Sequence, residues 1–169
     1  MDLKITPPQT AQWGSHTFRC ALGQGGVVRA EDKVEGDKKT PIGRWVMREV
    51  FYRPDRESRP ETDLPCRALA PHEGWCENPN LPTYNRLMPT DEDRQISSLW
   101  RNDGLYDLIV VLGYNDDPPI PGKGSAIFLH CARPNFGFSA GCVSLARDDL
   151  VTMLRDANKN SAVVVMPLP

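Results

Sequence analysis

SAIFLHCARPNFGFSAGCVSL, residues 125–145, sets one histidine and one cysteine at the two ends of a glycine-bearing connection. Read as a strand, Ser125 to Ala132 alternates: Ala126, Phe128 and His130 share one face, and Ile127, Leu129 and Cys131 share the other. His130 thus ends an otherwise apolar strand, where an imidazole is costly unless something hydrogen-bonds it. The chain turns through Arg133, Pro134, Asn135 and Gly137 and returns at Ser139-Ala140-Gly141-Cys142. Gly141 removes a side chain beside the sulfur and allows backbone angles that other residues avoid. A nucleophilic thiol needs a base within reach, space for a carbonyl carbon, and main-chain N–H groups aimed at the oxyanion. A cysteine after glycine is also an ordinary packing residue, and the pair alone leaves both readings open.

Outward from this stretch, Asp107-Leu-Ile-Val-Val-Leu-Gly-Tyr114 is the most hydrophobic run, and its β-branched content predicts a central buried strand. As the preceding strand in the chain it is expected to neighbour the one carrying His130. Asn115 to Pro119 reads as turn chemistry. Downstream, Arg147-Asp148-Asp149 opens a helix with Leu150, Leu154 and Ala157 on one face, joined by Val151 and Met153. Ser161–Met166 is a last strand. At the other end, Trp13 and Thr17–Leu22 read as a strand pair joined near Gly14-Ser15, with His16 on a solvated face, and Arg44–Tyr52 is rich in strand formers. The run Gly23-Gln24-Gly25-Gly26 lacks a following Lys-Ser/Thr and helix, so it is a turn and not a phosphate loop. Residues 53–90 hold seven prolines and read as a long irregular lid or insertion, with Trp75 and Tyr84 either lining a groove or pinning the segment to the core. Asp91–Arg101 is expected to form a short helix with Ile96, Leu99 and Trp100 inward. The sum is one mainly β domain over residues 1–169, a β-sandwich or partly closed barrel of mixed strands with one or two helices.

The chain carries a net charge of -2, which offers no footprint for nucleic acid. It has no stretch of eighteen apolar residues to span a membrane. Its first residues show no basic segment followed by an apolar run, so no secretory signal is visible. Five cysteines is an odd count, which leaves at least one free thiol within the chain and allows a Cys66–Cys76 disulfide in an oxidising compartment. Cys66, His72 and Cys76 lack metal-ligand spacing, and no metal is expected.

Two stretches together carry a family resemblance. Ile127-Phe128-Leu129-His130 followed by Ser139-Ala140-Gly141-Cys142-Val143-Ser144-Leu145, and upstream Gly36-Asp37-Lys38-Lys39-Thr40-Pro41-Ile42-Gly43-Arg44-Trp45, resemble the two recurring motifs of the YkuD family of L,D-transpeptidases. They stand in the family's order, and the likeness extends over roughly Val27 to Met166. The family's second motif histidine is Ala140 here, its Asn or Arg after the cysteine is Ser144, and the eight residues between His130 and Ser139 make a short spacer, as in a proteobacterial branch of the family. The resemblance implies a β-sandwich, no cofactor, and peptidoglycan stem peptides as donor and acceptor. It implies Cys142 as nucleophile, His130 as general base, the Cys131 carbonyl orienting that base, and the Gly141 and Cys142 N–H groups as oxyanion donors. The products would be cross-links to diaminopimelate, of the 1–3 type described for this branch or the commoner 3–3 type. With the family's wall residues replaced, Arg133 or Arg44 would bind the stem's carboxylate, beside Ser139, Ser144 and Tyr84. Hydrolysis by an L,D-carboxypeptidase or amidase and a non-catalytic wall-binding module are the rival functions. Rapid alkylation of Cys142 at neutral pH would set the module apart from the enzymes. A periplasmic location goes with the wall substrate, and the absent leader would suit the cytoplasm; the oligomeric state is open.

Overall fold

The computed structural model describes residues 1–91 and 94–168. It is mainly β, as expected. The strands are β1 (Asp2–Thr6), β2 (Thr10–Trp13), β3 (His16–Ala21), β4 (Val27–Arg29), β5 (Thr40–Tyr52), β6 (Cys66–Ala68), β7 (Glu73–Cys76), β8 (Leu87–Pro89), β9 (Ile96–Ser98), β10 (Leu108–Leu112), β11 (Phe128–Cys131), β12 (Val143–Leu145) and β13 (Ala162–Val165). Among the described residues there is one α-helix, α1 (Arg147–Leu154). Eight strands form a ring in the order β10-β11-β12-β3-β2-β1-β13-β5, closed by the pairing of β5 with β10. The barrel is therefore fully closed, and closure removes its free edges. Two strands make the closure possible. The thirteen-residue β5 pairs with β13 through Gly43–Val46 and with β10 through Met47–Tyr52. In β3, His16–Arg19 pair with β2, while Cys20 and Ala21 pair with β12.

Strand alternation divides the apolar side chains into two clusters. Leu108, Val110, Leu112, Leu129, Cys131, Val143 and Leu145 point into the barrel, with Leu3, Ile5 and Trp13 from the far wall and Leu150, Met153 and Leu154 of α1. Phe51, Ile109, Val111, Phe128 and Cys142 point outward, where Leu69, Trp75 and Leu99 cover them. The alternation expected over Ser125–Ala132 is thus the division between the barrel interior and an outer face.

That cover is built from the proline-rich stretch and its continuation. β8, β7 and β9 form a separate three-stranded sheet, and β6 pairs with β5, so the stretch is far less irregular than its composition suggests. Trp75 meets Phe128 edge-on at 5.0 Å. The helix expected over Asp91–Arg101 is corrected: residues 92–93 lie outside the described residues, and the rest gives an Asp91–Ile96 bridge and strand β9. Ile96 and Leu99 are buried as expected, but Gln95 at φ 59 breaks the helical course and β7 offers a ladder partner for β9. All five cysteines are free, so the Cys66–Cys76 disulfide is absent; the two lie on strands of different sheets. No described helix is long and apolar enough to cross a membrane.

Truncating Trp75 to alanine should cost about 3–5 kcal/mol, the usual loss for a large buried aromatic. It should also uncover Cys142. A thermal melt should drop by about 10 °C, and mass-mapped thiol labelling of Cys142 should accelerate while that of Cys20 does not.

Candidate active site

His130 and Cys142 are brought together by one parallel strand pair. β11 and β12 register Leu129 with Val143, His130 with Ser144 and Cys131 with Leu145. Residues opposite one another share a sheet face, so His130, Ser144, Phe128 and Cys142 all emerge on the outer face. His130 and Cys142 then stand on adjacent strands, two residues apart along them, the diagonal relation that long side chains bridge. Both line one cavity of about 150 Å3, with Arg101, Leu105, Tyr106 and Arg133 among its other walls. They are 5% and 7% exposed.

The hydrogen bonds define the protonation state. His130 Nδ1 lies 2.8 Å from the Cys131 carbonyl oxygen, which can only accept, so Nδ1 carries a proton, and in the neutral ring Nε2 keeps the lone pair. The Cys142 thiol donates to the Ala126 carbonyl at 3.1 Å, and the Phe128 N–H donates to the sulfur at 3.4 Å. Burial pushes the thiol up to about 12 and the imidazole down to about 4. The resting pair is a neutral thiol beside a neutral imidazole, not an ion pair. Tyr106 sets its ring edge-on to that of His130 at 5.2 Å.

The upstream motif builds the floor under the nucleophile. The Asp37 carboxylate accepts from the N–H groups of Val34 and Lys39 and pairs with the buried Lys33. Thr40 Oγ1 accepts from the Gly23 N–H at 2.9 Å. Gly23 then bridges to Ser139 at the start of the nucleophile turn, with Gln24 N–H donating to the Ser139 carbonyl and Ser139 N–H to that of Leu22. A Cβ on Gly23 would sit 2.3 Å from the Lys38 carbonyl oxygen and 3.1 Å from Gly141 Cα. Gly141 itself has φ +137 and lies against the Lys39 carbonyl. Two motifs far apart in sequence therefore meet backbone to backbone, at a separation that only glycine allows. Gly23→Ala should cost about 1–3 kcal/mol by overpacking. Acyl transfer should fall further than the melting temperature alone accounts for, because the methyl clashes with the Lys38 carbonyl and also crowds Gly141 next to Cys142; equal activity at a temperature where both proteins are folded would refute this.

The expected site residues divide into two groups. Arg133, Ser139 and Ser144 line the cavity with His130 and Cys142. Ser139 spans the turn: its hydroxyl donates to the Cys142 carbonyl at 2.6 Å and accepts from the Gly141 N–H at 3.1 Å, so that N–H is already engaged. The Cys131 side chain is in the barrel core and only its carbonyl reaches His130. Arg44 and Tyr84 are placed elsewhere. Arg44 grips Asp2 through Nε and Nη2 and lines a separate cavity with Met1, Lys4 and Asn160, because β5 pairs there with β13 on the other half of the barrel. Tyr84 is buried and its hydroxyl donates to the Glu35 carboxylate. Its neighbour Asn85 ties the cover to the site, accepting from Trp75 Nε1 and the Ala126 N–H and donating to the Tyr114 and Asn115 carbonyls.

Arg101, Tyr106 and Phe138 also line the cavity and were not singled out from the sequence. A topological signal for the first two exists. β10 runs antiparallel to β11, so the loop entering β10 must lie at the end where His130 sits, and the Cys131 N–H indeed donates to the Leu105 carbonyl.

Neither a curated protein sequence nor a solved structure matches the chain. The family profile described as the L,D-transpeptidase catalytic domain, YkuD, matches residues 10–165, a span that holds the barrel strands from β2 to β13, the upstream motif, His130 and Cys142. The chain belongs to the YkuD family of L,D-transpeptidase catalytic domains.

Proposed function

We propose that the protein is a peptidoglycan L,D-transpeptidase working through a Cys142 thioester, and that it acts on the wall in the periplasm. The observation that carries this is the unshared Nε2 of His130, on the same face and in the same cavity as the Cys142 thiol. As sulfur attacks the carbonyl carbon of an L,D-peptide bond in the donor stem, Nε2 takes the thiol proton. The C–S bond forms, the oxyanion is met by main-chain N–H groups of the turn (that of Cys142, and that of Gly141 once Ser139 rotates off it), and the scissile C–N bond breaks as the imidazolium protonates the leaving amine. The acceptor amine, a diaminopimelate side chain, then passes its proton to Nε2 and attacks the thioester; the new C–N bond forms and the thiol is regenerated. Arg133, at the cavity mouth, supports binding of the donor's carboxylate.

Transfer is favoured over hydrolysis because a second, larger groove shares Arg101 with the nucleophile's cavity and offers a place for an acceptor beside the donor. The test is mass spectrometry of purified muropeptides after incubation. Dimers whose fragmentation shows L-Ala joined to diaminopimelate would establish 1–3 links, and a diaminopimelate pair would establish 3–3 links. Shortened monomers without dimers would replace this reading by a carboxypeptidase.

A further inference from the structure

The cavity around Cys142 has a larger neighbour. Arg101 lines that cavity and also lines an open groove of about 920 Å3, and among the described residues no other lines both. The groove's remaining charged walls among the described residues are acidic: Glu35, Glu77 and Asp91. Glu35 accepts from the hydroxyls of Tyr84 and Ser125, both on Oε2. Glu77 accepts one hydrogen bond, from Ser97 Oγ at 2.9 Å to Oε2, and keeps Oε1 for another donor. Its burial, and then the nearby Glu35 charge, raise its pKa, so a cation placed there relieves a real cost.

Arg101 is held for a matching task. Asp103 takes the edge formed by Nε and Nη2. The guanidinium lies over the Tyr106 ring, 5.1 Å from its centroid, and that ring abuts His130. The Nη1–Nη2 edge remains, with geometry suited to a carboxylate. A purely anionic ligand in this groove meets three carboxylates, and a purely cationic one meets Arg101. A ligand with an ammonium and a carboxylate on one carbon satisfies both.

We propose that Arg101 and Glu77 select the acceptor by reading a free amino-acid terminus beside the Cys142 thioester, Arg101 pairing with its carboxylate and Glu77 with its ammonium, which passes one proton to the Glu77 carboxylate before the amine attacks. This rests on the transpeptidase reading above, and it adds the pair of residues that would tell an amino-acid head from a simple amine.

The experiment loads the full-length protein with a stem-peptide donor and compares two acceptors by mass spectrometry of the transfer products. One is meso-diaminopimelate; the other is 1,5-diaminopentane, which keeps both amines at the same spacing but has no carboxylate. The wild type should favour diaminopimelate at least about tenfold, the loss expected for one charge-assisted pair. Arg101→Ala should erase that preference by raising the KM for diaminopimelate about tenfold or more, and Arg101→Lys should restore part of it. Should Arg101→Ala fail to fold, Glu77→Gln carries the test, by raising the KM for both amines. A preference that survives Arg101→Ala, a KM unmoved by Glu77→Gln, or a wild type indifferent to the carboxylate would overturn the pairing while leaving the thioester mechanism standing. A wild type that forms no adduct on Cys142 would overturn both.

Discussion

Cys142→Ala is expected to abolish acyl transfer outright while leaving a folded protein. Incubated with a stem-peptide donor, the wild type should gain the mass of the acyl group on the peptide that contains Cys142; the alanine variant should gain nothing and form no cross-linked product. No neighbouring group in the cavity can substitute. Ser139 is tied to the Cys142 carbonyl, Ser144 is buried beside His130, and Cys131 points into the barrel core with its thiol pushed up to about 11 by burial. The structural cost of the change is modest. The sulfur accepts one long bond from Phe128 N–H and donates one to the Ala126 carbonyl, and losing both should cost about 1–3 kcal/mol. Cys142→Ser separates geometry from nucleophilicity, because a hydroxyl can replace both hydrogen bonds and yet is the weaker nucleophile. Adducts on the alanine variant, or cross-linking by it, would show that the thiol is not the reacting group. The burial of Cys142 also bears on the alkylation test. With its thiol buried and protonated, Cys142 of the free protein should alkylate slowly at neutral pH, so chemical labelling is a poor surrogate for acyl transfer here.

What the sequence made legible was whatever local periodicity and adjacency control. The two faces of Ser125–Ala132, the pairing of the Asp107 strand with the one bearing His130, the hairpin at Gly14 and the inward Leu150, Met153 and Leu154 of the helix all follow from side-chain period and short connections, and all are present, although α1 ends before Ala157. Closure of the ring was only half visible. It depends on β5 being long enough to pair in succession with β13 and β10, and a run of strand formers does not disclose two partners. The cover was read as irregular because its strands are three or four residues long and separated by prolines. Yet it is the cover that buries the face carrying Cys142, through Trp75 packed on Phe128, and that burial raises the thiol. Arg44 looked like a substrate residue because it follows the upstream motif; only the register with β13 shows that it serves the opposite half of the barrel. Tyr84 and Arg101 show the same limit from both sides, since loop residues are placed by contacts remote in sequence.

His130 sets the pH behaviour, and its expected signature differs from that of a thiolate–imidazolium pair. An ion pair is competent only between two accessible titrations, giving a bell. Here burial holds the imidazole near 4 and the thiol near 12, so the competent neutral form of the free protein spans the range between them. The single-turnover rate of acyl-enzyme formation should therefore be flat from about pH 6 to 9 and fall only as pH approaches 4. His130→Gln should lower that rate about 10²–10⁴-fold and remove the acid limb with it. Stability carries an independent reading of the same group. The folded-state pKa of His130 lies below its ordinary value of 6.5, so between 6.5 and 4 the unfolded chain binds a proton that the folded one refuses. The contribution is fully present above 6.5 and is lost as pH falls through that window, on the order of 3 kcal/mol in all. Thermal melts should show this decline in the wild type, and a shallower one in His130→Gln, which lacks this buried imidazole. A bell centred near neutrality would mean that the pair ionises in the free protein, and an acid limb retained by His130→Gln would assign it to another group. A flat rate together with a melting curve that loses its acid slope on substitution would tie both effects to one buried imidazole, held neutral by the cover and oriented by the Cys131 carbonyl.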